Sequence, residues 1–168
     1  MEFEVKNCSV LDAGADIIVN AANSSLSAGG GVCGAIFSRA GYDVLQEECN
    51  GLAPVDTGNA VLTKGYNSGA EYIVHAVGPN MWDNKLDWKM KLRQVYWNSL
   101  KVADNIKGNI IAFPCISTGI FGCPLRESSE NAIAIVNSFN AKYLKKAIFC
   151  CFTEEEYEVY LDIISNII

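Results

Sequence analysis

Two apolar runs in this chain end in glycine-bearing turns that lead directly into helix-like segments, and this repeated order restricts the fold more than any other feature. The first is DIIVNAANSSLSAGGGVCG, from Asp16 to Gly34, where a buried-strand pattern meets asparagines and then three consecutive glycines, Gly29, Gly30 and Gly31. The second is FPCISTGIFG, from Phe113 to Gly122. A strand, a bare backbone turn and a helix, in that order, present backbone N–H groups to an anion, and the helix adds its positive end at the same spot. Two such turns in one small chain imply a single ligand held from two sides. A phosphorylated nucleotide fits that demand.

Short runs rich in Val, Ile, Phe and Tyr alternate with helical periodicity along the whole length. Strands are expected at Phe3–Val5, Asp16–Asn20, Ala60–Thr63, Tyr72–Ala76, Asn109–Pro114 and Ala147–Cys151, and helices at Gly31–Ala40, Asp43–Asn50, Asp87–Ile106, Leu125–Phe139 and Glu154–Ile164. In the third helix Leu92, Val95, Tyr96, Ser99, Leu100 and Ala103 mark one amphipathic face. Thr153 followed by Glu156 forms a capping-box start for the fifth. Alternation of this kind predicts an α/β fold, a three-layer α/β/α sandwich with a mixed, mostly parallel central sheet. No linker or repeat divides it, so residues 1–168 are expected to form one domain, with Val77–Asp87 as a surface loop.

At 168 residues and half hydrophobic, the chain can bury a substantial core. A net charge of -6 argues against general nucleic-acid binding, which needs a basic footprint. No apolar run suits a membrane span or a leader, so a cytoplasmic protein is expected, in the host-cell cytoplasm if the source is viral. Nothing indicates an oligomer, and a monomer is the expectation. The seven cysteines lie mostly within apolar runs and form no paired metal-binding spacing, and the one histidine, His75, falls in a strand. They are read as small buried hydrophobes, with no metal, disulfide or cofactor expected.

The glycines admit other readings. Gly29, Gly31 and Gly34 formally match the dinucleotide-binding GxGxxG fingerprint, but they follow their strand too late. The acidic residue at a suitable distance, Asp56, lies in the turn APVDTG rather than at a strand end. A purely structural, turn-forming role is the other alternative. Asn23 is the polar residue best suited to ribose hydroxyls, since its amide both donates and accepts. Asn20, at the strand end, is expected to satisfy loop backbone groups. Phe121 and Phe152 each follow a strand, and either could flank a sugar or a base or join the core.

Taken together, these residues resemble the macro domain, an ADP-ribose-binding module. IVNAANSSLSAGGGV (Ile18–Val32) is similar to its first phosphate loop, FPCISTGIFG to its second, YIVHAVGP (Tyr72–Pro79) to its middle strand, and CFTEEEYEVY (Cys151–Tyr160) to its last strand-to-helix segment. The branch it most resembles removes mono-ADP-ribose from proteins. The resemblance implies that Asn23 and Ala21 hold the distal ribose and that Gly29, Gly30, Gly31 and Val32 wrap that ribose and the diphosphate. It further implies that Ser117, Thr118, Gly119, Ile120, Phe121 and Gly122 close over the phosphates. Phe121 would lie against the distal ribose, and Phe152 beside the adenine. Asn23, Gly31 and Phe121 would then position the reaction, and mono-ADP-ribosylated proteins would be the partners.

Two departures stand out. Where the family usually carries an aspartate that reads the adenine amino group, this chain has Ser9, followed by Val10, and a neutral hydroxyl is a weaker acceptor than a carboxylate. Asp12 is the nearest carboxylate that could substitute. Many hydrolytic members read GGGVD, and Cys33 stands in place of that aspartate. A nucleophilic Cys33 would need a base, which the strand-bound His75 does not supply. The expected reaction is attack of water on the anomeric carbon of the distal ribose, with an Asp or Glu carboxylate leaving. A non-catalytic ADP-ribose reader is the alternative, and O-acetyl-ADP-ribose is a further candidate substrate for the same site.

Overall fold

The computed structural model describes residues 1–167. Its strands are β1 (Glu2–Lys6), β2 (Ile17–Ala22), β3 (Ala60–Lys64), β4 (Tyr72–Val77), β5 (Ile110–Phe113) and β6 (Lys146–Cys150). Its helices are α1 (Gly31–Ala40), α2 (Tyr42–Asn50), α3 (Trp88–Asn105), α4 (Leu125–Ser138) and α5 (Glu154–Ile167). The strands join in the order β1-β6-β5-β2-β4-β3. Every neighbouring pair is parallel except β3 with β4, so the expected mixed, mostly parallel sheet is present.

The two faces of the sheet are covered by different helices, as the period of two along each strand requires. On one face Ile17, Val19, Val74, Ile111, Phe113 and Phe149 pack with α3, α4 and α5. The expected face of α3 is the one that packs there, with Leu92, Val95, Tyr96, Ser99, Leu100 and Ala103 all buried. On the other face Ile18, Ala22, Ile73, Ala112 and Ile148 pack with Ile36, Phe37 and Leu45 of α1 and α2. Each of the larger of these side chains (Val, Ile, Leu or Phe), fully removed from water, contributes roughly 1.5–3 kcal/mol.

This layering fixes where a ligand can enter. β2 and β5 are adjacent and parallel, yet β2 leads to α1 on one face and β5 to α4 on the other. Their connections diverge and leave a crevice at the carboxyl edge of the sheet. Both glycine turns open onto that edge.

The boundaries differ from the sequence expectation in informative ways. β2 continues through Ala21 and Ala22, paired with Ala76 and Val77, so the asparagine-bearing run enters the sheet further than its polarity suggests. Two short 3-10 turns, Val10–Asp12 and Tyr66–Ser68, were not anticipated. Each is only one turn long, too short for periodicity to register.

Candidate ligand-binding cleft

A cleft of about 670 Å³ runs along the carboxyl edge of the sheet, lined by residues that follow β1, β2, β5 and β6. Its size suits a nucleotide-sized ligand. Of the residues singled out in the sequence, Ser9, Val10, Gly31, Val32, Thr118, Gly119 and Phe152 form its walls. Ala21, Asn23, Gly29, Gly30, Cys33, Ser117, Ile120, Phe121 and Gly122 do not. Walls that sequence reasoning missed include Cys8, Cys115, Cys150, Thr153, Glu155 and Glu156. The three cysteines read as small buried hydrophobes, although lying at or just past a strand's carboxyl end was itself the signal.

No lysine or arginine is among the cleft walls, so an anion there would be held by backbone amides and by hydroxyls such as Thr118 rather than by cationic side chains. Two helix ends supply them. α1 begins at Gly31 with Gly30 as its cap, and α4 begins at Leu125 with Pro124 as its cap; neither has a side-chain capping bond. The first-turn N–H groups of both therefore have no capping side chain and retain the positive end of the helix dipole.

The glycines divide by physical demand. A Cβ on Gly34 would come within 2.5 Å of the Gly29 carbonyl oxygen, so Gly34 is needed for α1 to approach its own loop. Gly31 has φ +58, a conformation glycine adopts without strain. At Gly29, Gly30 and Gly119, by contrast, a Cβ would meet no protein atom within 4 Å, and the backbone is ordinary. The fold itself does not require glycine at these three positions. A structural role alone therefore does not account for them.

Asn23 is tied into its own loop. Its Oδ1 accepts from Ser25 Oγ at 2.9 Å and from the Ser27 N–H at 3.0 Å, while Nδ2 donates to the Ser27 carbonyl at 3.0 Å. One N–H remains to offer. Asn20 does something other than the loop role expected of it. It is buried, and Nδ2 donates to His75 Nδ1 at 3.1 Å. His75 Nε2 then carries the proton and donates to Thr63 Oγ1 at 2.9 Å. Burial lowers the His75 pKa to about 4, so the ring is neutral at physiological pH and is committed to this interior chain.

The remaining residues each have a defined setting. Ser9 Oγ accepts from the Leu11 N–H at 3.2 Å and so caps a 3-10 turn. Asp12 faces Arg39 at 3.5 Å and is not a cleft wall. Cys33 is buried, and its thiol lies 3.8 Å from the Ser27 carbonyl. Phe152 is 80% exposed, which rules out the core reading for it, and Ile120 is 92% exposed, while Phe121 is half-buried. Ser117 has φ +68 and a buried hydroxyl with no partner. A hydrogen bond with Cys151, then burial and the nearby Glu156 charge, push the Cys115 thiol well up. Burial raises Cys150 as well. Neither is a thiolate nucleophile near neutral pH.

A model of the Macro domain family matches residues 19–132. The chain belongs to the macro domain family. A macro domain-containing protein of Chlorobaculum tepidum is 44% identical over 147 residues, 86% of this chain and 85% of the relative. The ADP-ribose glycohydrolase MACROD1 of Mus musculus is 40% identical over 149 residues, 86% of this chain but only 46% of that longer protein. Among solved structures, the Oceanobacillus iheyensis macrodomain with ADP superposes with a TM-score of 0.92 at 30% identity, covering 98% of this chain and 90% of that one. The Trypanosoma brucei macrodomain in complex with ADP-ribose gives 0.89 at 35% identity, covering 97% and 69%. Both glycine turns of this macro domain fall within the matched family region.

Proposed function

We propose that this macro domain binds ADP-ribose along the cleft and hydrolyses the ester that joins mono-ADP-ribose to an aspartate or glutamate side chain. The observation that carries the binding reading is the pair of uncapped helix ends, at Gly31 and Leu125, facing one cleft with no cationic wall. A diphosphate crossing between Gly31–Val32 and Thr118–Gly119 would supply the acceptors that these amides lack. The exposed Phe152 would then flank the adenine, and the distal ribose would extend towards Asn23 and Phe121. The relation to relatives named ADP-ribose glycohydrolases supports the hydrolytic half.

In this reaction a water oxygen bonds to the anomeric carbon of the distal ribose as the carbon–oxygen bond to the side-chain carboxylate breaks. Positive charge develops at that carbon, as in other glycosyl transfers. The acyl group leaves as a carboxylate, so it needs little acid assistance, and the water's proton passes to a diphosphate oxygen or to solvent. The protein's share is positioning, which is worth several kcal/mol when the attacking geometry is held. Asn23 offers its one free N–H to a ribose hydroxyl, from a side chain already locked by Ser25 and Ser27. Cys33 takes no covalent part, because its thiol faces the Ser27 carbonyl and His75 is engaged with Asn20 and Thr63.

The test is loss of label from a protein mono-ADP-ribosylated on glutamate. Wild type should release ADP-ribose, and Asn23→Ala should slow release at least about a hundredfold, since it removes the donor and unpins the loop together. Retained label with ADP-ribose binding intact would instead identify a reader, which the presence of a thiol at position 33 favours.

A further inference from the structure

We propose that Glu156, rather than Ser9, is the acceptor that selects an amino-bearing purine in this cleft. The proposal rests on the ADP-ribose reading above. Glu156 and Glu155 are the carboxylates among the cleft walls. Glu155 makes no hydrogen bond among the described residues, whereas Glu156 is held rigidly. Its Oε1 accepts from the Phe152 N–H at 3.1 Å, the Thr153 N–H at 2.9 Å and Thr153 Oγ1 at 3.2 Å. In return its own N–H donates to Thr153 Oγ1 at 3.1 Å. These three bonds fall on Oε1, so they leave Oε2 to the cleft side of the residue, where the Cys115 thiol is its neighbour.

Two features place this carboxylate at the base end of the cleft, and a third sets Ser9 aside. The carboxylate lies beside Cys115, another wall of the cleft. It is bonded to the backbone of Phe152, the exposed aromatic of the same cleft, so a base flanking Phe152 has its edge near Glu156. Ser9, by contrast, spends an acceptor site on the Leu11 N–H and carries no charge. A pinned anion is the stronger acceptor for an exocyclic amino group, and being already fixed it loses little freedom on binding.

Glutamine at this position gives a decisive test, because it changes the chemistry without removing the cap. Its amide oxygen can accept the same N–H bonds, which is why the capping box tolerates glutamine, and its NH₂ then replaces the Oε2 acceptor with a donor. Titration calorimetry would compare ADP-ribose with inosine diphosphate ribose, which carries a carbonyl oxygen where adenine has its amino group. Wild type should prefer ADP-ribose by roughly tenfold or more, and Glu156→Gln should reverse that preference. Glu158→Gln, which removes the same charge from an α5 position outside the cleft, should leave the ratio unchanged. Equal wild-type affinities, or a Glu156→Gln protein that keeps the wild-type ratio, would overturn the proposal while leaving the ADP-ribose reading intact. Wild-type binding of neither compound would overturn both.

Discussion

The N-termini of α1 and α5 border the same cleft and are finished in opposite ways. α5 is closed by its own side chains, with Thr153 and Glu156 exchanging hydrogen bonds across the first turn. α1 starts on glycine with no side-chain cap, and α4 starts likewise after Pro124. A helix end left open costs stability unless something else pairs with it. α2 and α3 also lack a side-chain cap, so what distinguishes α1 and α4 is that their open ends line the cleft, where the proposed ligand would pair with them. Inward of the rim, Asn20 Nδ2, His75 and Thr63 form one hydrogen-bonded chain, although the buried Asn20 Oδ1 has no partner.

The contrast is broken most directly by giving α1 a cap. Gly30 has the extended backbone of a capping residue and space for a side chain. Gly30→Asp should therefore raise stability slightly, by about 0.5 kcal/mol, because its carboxylate takes the open amides. ADP-ribose affinity should fall roughly a hundredfold in calorimetry, as that carboxylate both occupies the amides and repels the diphosphate. Unchanged affinity would mean that the open end is not the anion site.

The closed interior predicts a pH effect. The folded pKa of His75 is lowered by burial, to about 4, so its stabilising contribution is complete above the unfolded value near 6.5 and is lost as pH falls through about 4. Urea unfolding at pH 7 and at pH 4.5 should differ by on the order of 2–3 kcal/mol from this group. His75→Gln should flatten that part of the slope. An equally steep slope in the variant would mean that His75 is not the group responsible. Glu4 and Asp104 have lowered folded pKa values, so their contributions are lost mainly below this window.

Opening the closed end should have a smaller effect. Thr153→Ala removes the hydroxyl that accepts the Glu156 N–H, and should cost about 1 kcal/mol of stability in thermal melts. The smallest effect is expected at the first loop, where Cys33→Ala should leave ester hydrolysis within about twofold of wild type. A large loss there would require a direct chemical role for the thiol.

What could be read from the sequence follows from the range of the interactions. The sandwich was legible because strands and helices announce themselves through periodicity, as Leu92 to Ala103 did on α3. The glycine turns were legible because they combine a strand end with residues that periodicity does not require. The fate of Asn23 was not, since its bonds to Ser25 and Ser27 depend on how the loop folds back on itself. Asn20 was misjudged because its partner, His75, lies on a neighbouring strand far away in sequence. Glu156 was recognised as half of a capping box, a local pattern. Its place on the cleft wall depends on where β5 and β6 end in space, which no local pattern reports.

The unneeded glycines have a consequence for how this protein tolerates change. A library randomised at Gly29, Gly30 and Gly119 and sorted only for soluble, protease-resistant expression should fill these positions freely, since no neighbouring atom objects. The same library sorted on capture by an ADP-ribose resin should return small residues. The difference between the two profiles would trace the ligand's outline on the protein without a bound structure.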